Sequence, residues 1–275
     1  PDPKFNEPIR QRLLIAEARK IEGPRLLITL DADEIFTPNI LTSSEWQQIL
    51  ESAPGTAIHF RWANLRPGFK KFWYGAWFPW GYMDDGLEHN PDLLIHCTRI
   101  PMRHGSPVLV AREIEVLHFQ YTAWERMRTK HRYYQQFERI TFPNKSALDI
   151  FRTYHHMFAI PKDQLLPVQE TWFQEYQQLG IDLTTSCPEP ENWFEQESLK
   201  LFEQYGAERF RQLYIWDTRW MQHAKNGHPA SVSRIKDPRS LSDRLIQLWL
   251  MKTQPVYHRK NFGKIDRMIK KLFKY

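Results

Sequence analysis

The chain has 275 residues and a mass of 33.2 kDa, with 38 Lys and Arg against 32 Asp and Glu and a formal net charge of +6. Eight of the cations (Lys252, Arg259, Lys260, Lys264, Arg267, Lys270, Lys271, Lys274) and one acid, Asp266, lie in residues 252–275, which leaves 30 basic and 31 acidic residues in the first 251. A near-neutral body excludes a nucleic-acid binder with a basic surface throughout, Cys97 and Cys187 without a CxxC pair exclude a zinc ribbon or disulfide scaffold, and no apolar run reaches bilayer length.

Asn6 is placed to cap a helix with Pro8 in its first turn and an apolar side of Ile9, Leu13, Leu14 and Ala16; Gly23-Pro24 stops it. The apolar run Arg25–Leu30 reads as a buried strand of an α/β sheet and ends abruptly in Asp31-Ala32-Asp33-Glu34. Ser43 or Ser44 caps a short helix carrying Trp46, Ile49 and Leu50. After the Pro54-Gly55 turn, Thr56–Trp62 alternates as a half-buried strand does. Residues 63–92 read as an aromatic loop, with Trp73, Trp77 and Trp80 followed by Asp84, Asp85, Glu88 and Asp92. Leu93–Thr98, Pro107–Ala111 and Glu115–Gln120 are further strand candidates. Thr122 with Glu125 fits a capping box opening a helix to about Ile140. Helical patterns continue at 146–159, 164–179, 193–205, 207–224, 241–251 and 264–275. The expected layout is an α/β part over 1–120 and a mainly helical part over 121–275.

Two carboxylates at i and i+2 just past a buried strand stand where open α/β sheets bind ligands. Hard oxygen ligands at that spacing suit Mg²⁺ or Mn²⁺, which bridge to substrate phosphates. The competing plain reading is a turn or the start of the next helix; the apolar strand before the motif and the third acid after it favour the functional one. An EF-hand loop is excluded, because Phe36 and Thr42 stand where Gly and Glu are required. A phosphatase of the haloacid dehalogenase type also uses a strand ending in DxD, with Asp31 as nucleophile and Asp84-Asp85 as the later acidic pair. It is the weaker enzyme reading, since the further parallel strands it needs are missing.

Leu26–Phe36 (LLITLDADEIF) resembles the strand and DxD motif of family-2-like glycosyltransferases with the GT-A fold, a Rossmann-like mixed sheet. Val116–Tyr121 (VLHFQY), Lys130–Tyr134 (KHRYY), Gly180–Leu183 (GIDL) and Phe210–Trp220 (FRQLYIWDTRW) resemble the later part of a bacterial branch of such proteins. The similarity covers most of the chain, and DADE is its one mechanistically specific element. The first β-α unit of such a fold, which holds much of the nucleotide, would lie before Pro1.

The resemblance implies an inverting, metal-dependent transfer from a nucleotide-sugar donor to a glycan or lipid-linked acceptor. Asp33 is the first expected contact to Mg²⁺ or Mn²⁺. Asp31 would meet the ribose, or the metal through water, Glu34 would shape the loop or meet substrate, and His118 is a further candidate ligand. The expected base lies among Asp85, Asp84 and Glu88. Trp73, Trp77 and Trp80 could stack on sugar faces, although several Trp in one segment are mostly core. A non-catalytic carbohydrate-binding or scaffolding relative is the alternative class. His155-His156 reads as structural, because adjacent helical positions point apart.

The segment 264–275 sets lysines beside an apolar stripe, so it is either a terminal helix docked on the domain or a helix resting on anionic lipid. The expected setting is cytoplasmic, peripheral to a membrane if the second reading holds, with no nucleic-acid partner.

Overall fold

A computed structural model describes residues 6–91, 96–185, 193–216, 235–257 and 262–275. The chain is α/β and divides into two compact units, Pro1–Thr122 with Leu166–Thr185, and Ala123–Leu165 with Ser186–Tyr275. The first boundary falls close to residue 120, but the segment 166–185 returns to the sheet unit instead of continuing the helical one.

Unit one is built on a mixed sheet. Its strands are β1 (Leu26–Ile28), β2 (Glu34–Phe36), β3 (Ala57–Leu65), β4 (Lys71–Met83), β5 (Val108–His118) and the short β6 (Leu166–Pro167). Their order is β1-β4-β3-β5-β2, with β6 added to β4. Only β3 and β5 run parallel; the other pairings are antiparallel. Helix α1 (Glu7–Ala18) is capped by Asn6, which accepts from the Ile9 amide at 3.1 Å, and α2 (Ser44–Leu50) is capped by Ser43. One core cluster gathers Phe36, Ile49, Ile58, Phe60, Trp80, Ile114 and Val116.

Several expectations change here. The aromatic segment 71–83 is not a loop but the longest strand of the sheet. Gly75, Pro79 and Gly81 look like strand breakers, yet register shifts between Ile58 and His59 and between Arg61 and Ala63 accommodate them. The candidates 107–111 and 115–120 are one continuous strand, β5, while 96–98 form none and 92–95 lie outside the described residues. In α1 the buried side is Pro8, Gln11 and Ile15, so Ile9, Leu13 and Leu14 are exposed.

Unit two consists of α3 (Trp124–Thr141), α4 (Ala147–Tyr154), α6 (Trp193–Tyr205), α7 (Leu241–Thr253) and α8 (Gly263–Phe273); α5 (Thr171–Gln178) belongs to unit one. Their core holds Leu148, Phe151, Tyr154, Phe202, Phe210, Leu250, Ile269 and Tyr275. No capping box opens α3: Thr122 instead donates its hydroxyl to the Phe119 carbonyl at 2.7 Å, and Ala123 occupies the cap. Of the expected helix 207–224, Ala207–Phe210 is a single 3-10 turn and 217–224 lies outside the described residues.

Gly81 is where the sheet is least tolerant. It pairs with Ile58, and a Cβ added there would stand 2.9 Å from the Ile58 Cβ, inside van der Waals contact. Gly81→Ala is expected to destabilise the protein by about 1–3 kcal/mol, read as a lower denaturant midpoint at unchanged slope.

Candidate functional site

The acidic turn lies between an edge strand and its neighbour's end. Beyond β1, the chain closes a tight turn with the Glu34 amide donating to the Asp31 carbonyl at 3.0 Å, and it enters β2 at Glu34. There Glu34 pairs with His118, the last residue of β5, while Asn64 of β3 pairs with His118 on the other side. Three strands thus bring Asp33, His118 and Asn64 to one place.

Glu34 holds the turn. Its side chain is fully buried, and both carboxylate oxygens are used. Oε2 accepts from the Asp31 amide at 2.8 Å and from Arg99 Nη1 at 2.6 Å; Oε1 accepts from Trp62 Nε1 at 2.9 Å and Arg99 Nη2 at 3.2 Å. Arg99 also reaches Asp31 Oδ2 at 2.6 Å, and Arg10 reaches Asp31 Oδ1 at 3.2 Å. Burial works against the charge on Arg99, but Glu34 and Asp31 outweigh it and hold the guanidinium pKa above its ordinary range. Glu34 is therefore committed to the fold rather than offered to a ligand, and Asp31 meets two guanidiniums.

Asp33 differs from its neighbours. Its side chain is about a third exposed, with His118 Nε2 4.0 Å from its Oδ2. The His118 ring is fixed on three sides. It lies flat on Trp62 with centroids 4.7 Å apart, meets the Tyr121 edge at 5.6 Å, and its Nδ1 is 2.8 Å from Asn64 Oδ1. Asn64 Nδ2 donates to the Trp73 carbonyl at 3.4 Å, which orients Oδ1 towards the imidazole. Nδ1 thus faces an acceptor oxygen, and Nε2 lies on the side of the Asp33 carboxylate.

With metal–ligand bonds of ~2.0–2.2 Å, neighbouring ligands of one ion stand about 3.0–3.5 Å apart, so a separation of 4.0 Å would have to close by about 0.5–1 Å for these two atoms to share an ion side by side. Among the described residues no group of three or more His, Cys, Asp or Glu side chains is placed to hold a metal. The protein offers a pair of donors, and any ion held there would complete its shell with water or ligand oxygens. One imidazole beside one carboxylate suits Mn²⁺ better than the oxygen-seeking Mg²⁺.

The other expected site residues are elsewhere. Asp84 and Asp85 stand at the beginning of β1, where the Asp84 amide donates to the Arg25 carbonyl, six residues and roughly 20 Å of strand from Asp31. The Asp84 side chain is buried and accepts from Arg19 Nη2 at 2.7 Å, Arg25 Nε at 3.1 Å and the Gly86 amide at 3.1 Å. Burial alone would raise its pKa, but those donors prevail and hold it below the usual carboxylate range. Asp85 is likewise lowered, with burial outweighed by the Tyr82 hydroxyl at 2.8 Å, the Leu87 amide and Arg103. Glu88 is exposed and accepts from Asn90. None of the three is brought to Asp33, and a carboxylate stabilised by arginines is a poor proton acceptor. Trp73 and Trp80 are buried, the first against Tyr121 and the second between Trp62 and Phe78. Trp77 is half-buried with Arg61 5.6 Å from its ring. Packing within the protein accounts for Trp73 and Trp80.

Sequence reasoning did not reach Arg99, Trp62 or Asn64. The last two had a legible sign, a Trp and an Asn two apart on one face of a strand; Arg99 had none, because only the fold carries it to the acidic turn. In unit two, His155 is a buried core residue whose Nδ1 donates to the Phe151 carbonyl and whose ring stacks on Phe151; burial pushes its pKa down to about 4. No family model, curated protein or solved structure matches the chain.

Replacing Glu34 with Ala would leave Arg99 buried without its main counter-charge and is expected to cost about 3 kcal/mol or more, measured by denaturant unfolding. Asp84→Asn tests the second acidic cluster. Because the folded pKa of Asp84 lies below its unfolded value, its stabilisation is complete above the usual carboxylate range and is lost as pH falls through the folded value. The variant is expected to lose about 2 kcal/mol at pH 7 and to show a flatter fall in stability on acidification than the parent.

Proposed function

We propose that the chain is the catalytic part of a metal-dependent glycosyltransferase of GT-A type, acting on a nucleotide-diphosphate sugar and a glycan or lipid-linked acceptor. The observation that carries this reading is the Asp33–His118 pair, two donor atoms of different chemistry held 4.0 Å apart at the end of the sheet. The resemblance of Leu26–Phe36 to a DxD strand supplies the substrate class; the pair supplies a reason for the chemistry.

In this reading Asp33 and His118 would hold Mn²⁺, or Mg²⁺ less well, and the ion would supply Lewis-acid stabilisation of the departing diphosphate. Asn64 meets the imidazole at Nδ1, and Trp62 holds the ring plane. Glu34 maintains the turn. Arg99 and Arg10, on Asp31, place positive charge beside the position where phosphate oxygens would gather. Asp84 and Asp85 take no part as bases.

The non-catalytic alternative is favoured by one observation, that two of the three acids in DADE are already engaged within the protein. The phosphatase alternative loses its support, because its nucleophile Asp31 is held by Arg99 and Arg10 and its later acidic pair is remote. Release of nucleoside diphosphate from a panel of nucleotide sugars with Mn²⁺ separates the classes. Asp33→Ala is expected to lower turnover by at least about a hundredfold with an unchanged unfolding midpoint, and His118→Gln by a lesser factor. Turnover in Asp33→Ala equal to that of the parent would overturn the assignment.

A further inference from the structure

The terminal helix α8 is docked and yet leaves an uncovered face. Its inward side is Asp266 and Ile269. Asp266 accepts from Arg152 Nε and Nη2 at 3.3 Å, Ile269 joins the unit-two core, and Lys270 holds Asp149 at 2.6 Å. The docking expectation is thereby met for this side of the helix.

The outward side follows a different rule. Ile265, Met268 and Leu272 are exposed at i, i+3 and i+7, Leu272 by 65%, and Phe273 follows them. Lys264, Arg267, Lys271 and Lys274 are exposed beside them. At 100° per residue Lys264, Arg267 and Lys271 fall within an arc of roughly 60° and the three apolar residues within an adjacent arc of roughly 60°, with Lys274 just past the helix end. The single acid of the helix, Asp266, is the residue turned inward.

Helix α7 repeats the arrangement independently. Leu241, Leu245 and Leu248 are exposed at i, i+4 and i+7, Leu241 by 74%, with Arg244 and Lys252 exposed among them. Its acid, Asp243, is again buried, in the capping box with Ser240 and against Arg211 at 2.6 Å. Two helices that each bury their acid and present leucines with cations are not explained by the packing of unit two.

We propose that these outward faces of α7 and α8 form a docking surface for an anionic lipid bilayer. Such a surface takes an apolar stripe at the level of the acyl boundary and attracts flanking Lys and Arg to its headgroups. A protein partner fits less well, because the cores of protein interfaces are depleted in lysine, and a second copy would set like-charged stripes against each other. Among the described residues no helix is long and apolar enough to cross a membrane, so the contact is one of lying on the surface. The proposal rests on α7 and α8 alone and does not require the glycosyl-transfer reading.

Vesicle flotation with the full chain tests it, comparing phosphatidylcholine with a 7:3 mixture of phosphatidylcholine and phosphatidylglycerol. The anionic vesicles are expected to bind at least about tenfold more strongly, with binding weakened by salt. Met268→Ser/Leu272→Ser and Lys264→Glu/Lys271→Glu are each expected to reduce it by about fivefold or more while keeping the parental circular dichroism and unfolding midpoint. All four substituted side chains are exposed, so folding does not depend on them. Failure to bind, equal binding to both vesicles, or unchanged binding in the serine variant would overturn the proposal. So would a parental dimer in sedimentation that the serine variant abolishes, since the face would then belong to a second copy.

Discussion

A carboxylate with no exposure to water sets the geometry of the sheet's functional end. Glu34 is the main partner of the buried Arg99, and taking such a pair out of water is tolerable only because both carboxylate oxygens find donors. Its partners come from three places far apart in sequence: the amide of Asp31, the indole of Trp62 on β3, and Arg99 between β4 and β5. Satisfying them together fixes the turn after β1, starts β2 opposite His118, and leaves Asp33 between these constraints with its side chain still in contact with solvent. The exposed acid has its position because the buried one has no freedom.

The same logic separates the two acidic clusters of unit one. Asp84 answers Arg19 and Arg25 at the start of β1, and it ties α1 and the β1 entry to the end of β4. It is a structural hub of the kind that lowers a carboxylate's pKa without preparing it for chemistry. Asp33 is bordered instead by an imidazole that Asn64 meets at Nδ1 and whose Nε2 lies 4.0 Å from the carboxylate.

The legible parts of the sequence were those governed by local rules. Asn6 and Pro8 announced a helix, and the alternation of Thr56–Trp62 a strand, because capping and periodicity act over a few residues; of Arg25–Leu30, expected as a buried strand, Leu26–Ile28 forms a short, partly buried edge strand. The segment 71–83 misled for a local reason as well. Its Gly and Pro are breakers in isolation and become tolerable only where the register shifts on β3 receive them. Asp84 and Asp85 are expected as candidate bases from a loop; the segment before them is instead β4, whose antiparallel pairing with β1 sends them to the end opposite DADE. Arg99 could not be found at all, since an arginine outside any regular element carries no sign of the carboxylates it will meet. The charge total was similarly uninformative until divided by position. On α7 and α8 the acids are buried and the cations exposed, so the surface of these helices is more basic than their composition.

The role proposed for Asp33 and His118 is to hold a cation whose shell phosphate oxygens complete. Electron paramagnetic resonance of Mn²⁺ titrated into the protein with and without uridine diphosphate, repeated on Asp33→Asn and His118→Ala, measures this directly. Weak Mn²⁺ binding by the protein alone is expected, strengthened about tenfold or more by the diphosphate, with that strengthening lost in both variants. Mn²⁺ binding that is the same in the parent and both variants, or that the diphosphate does not affect, would contradict it.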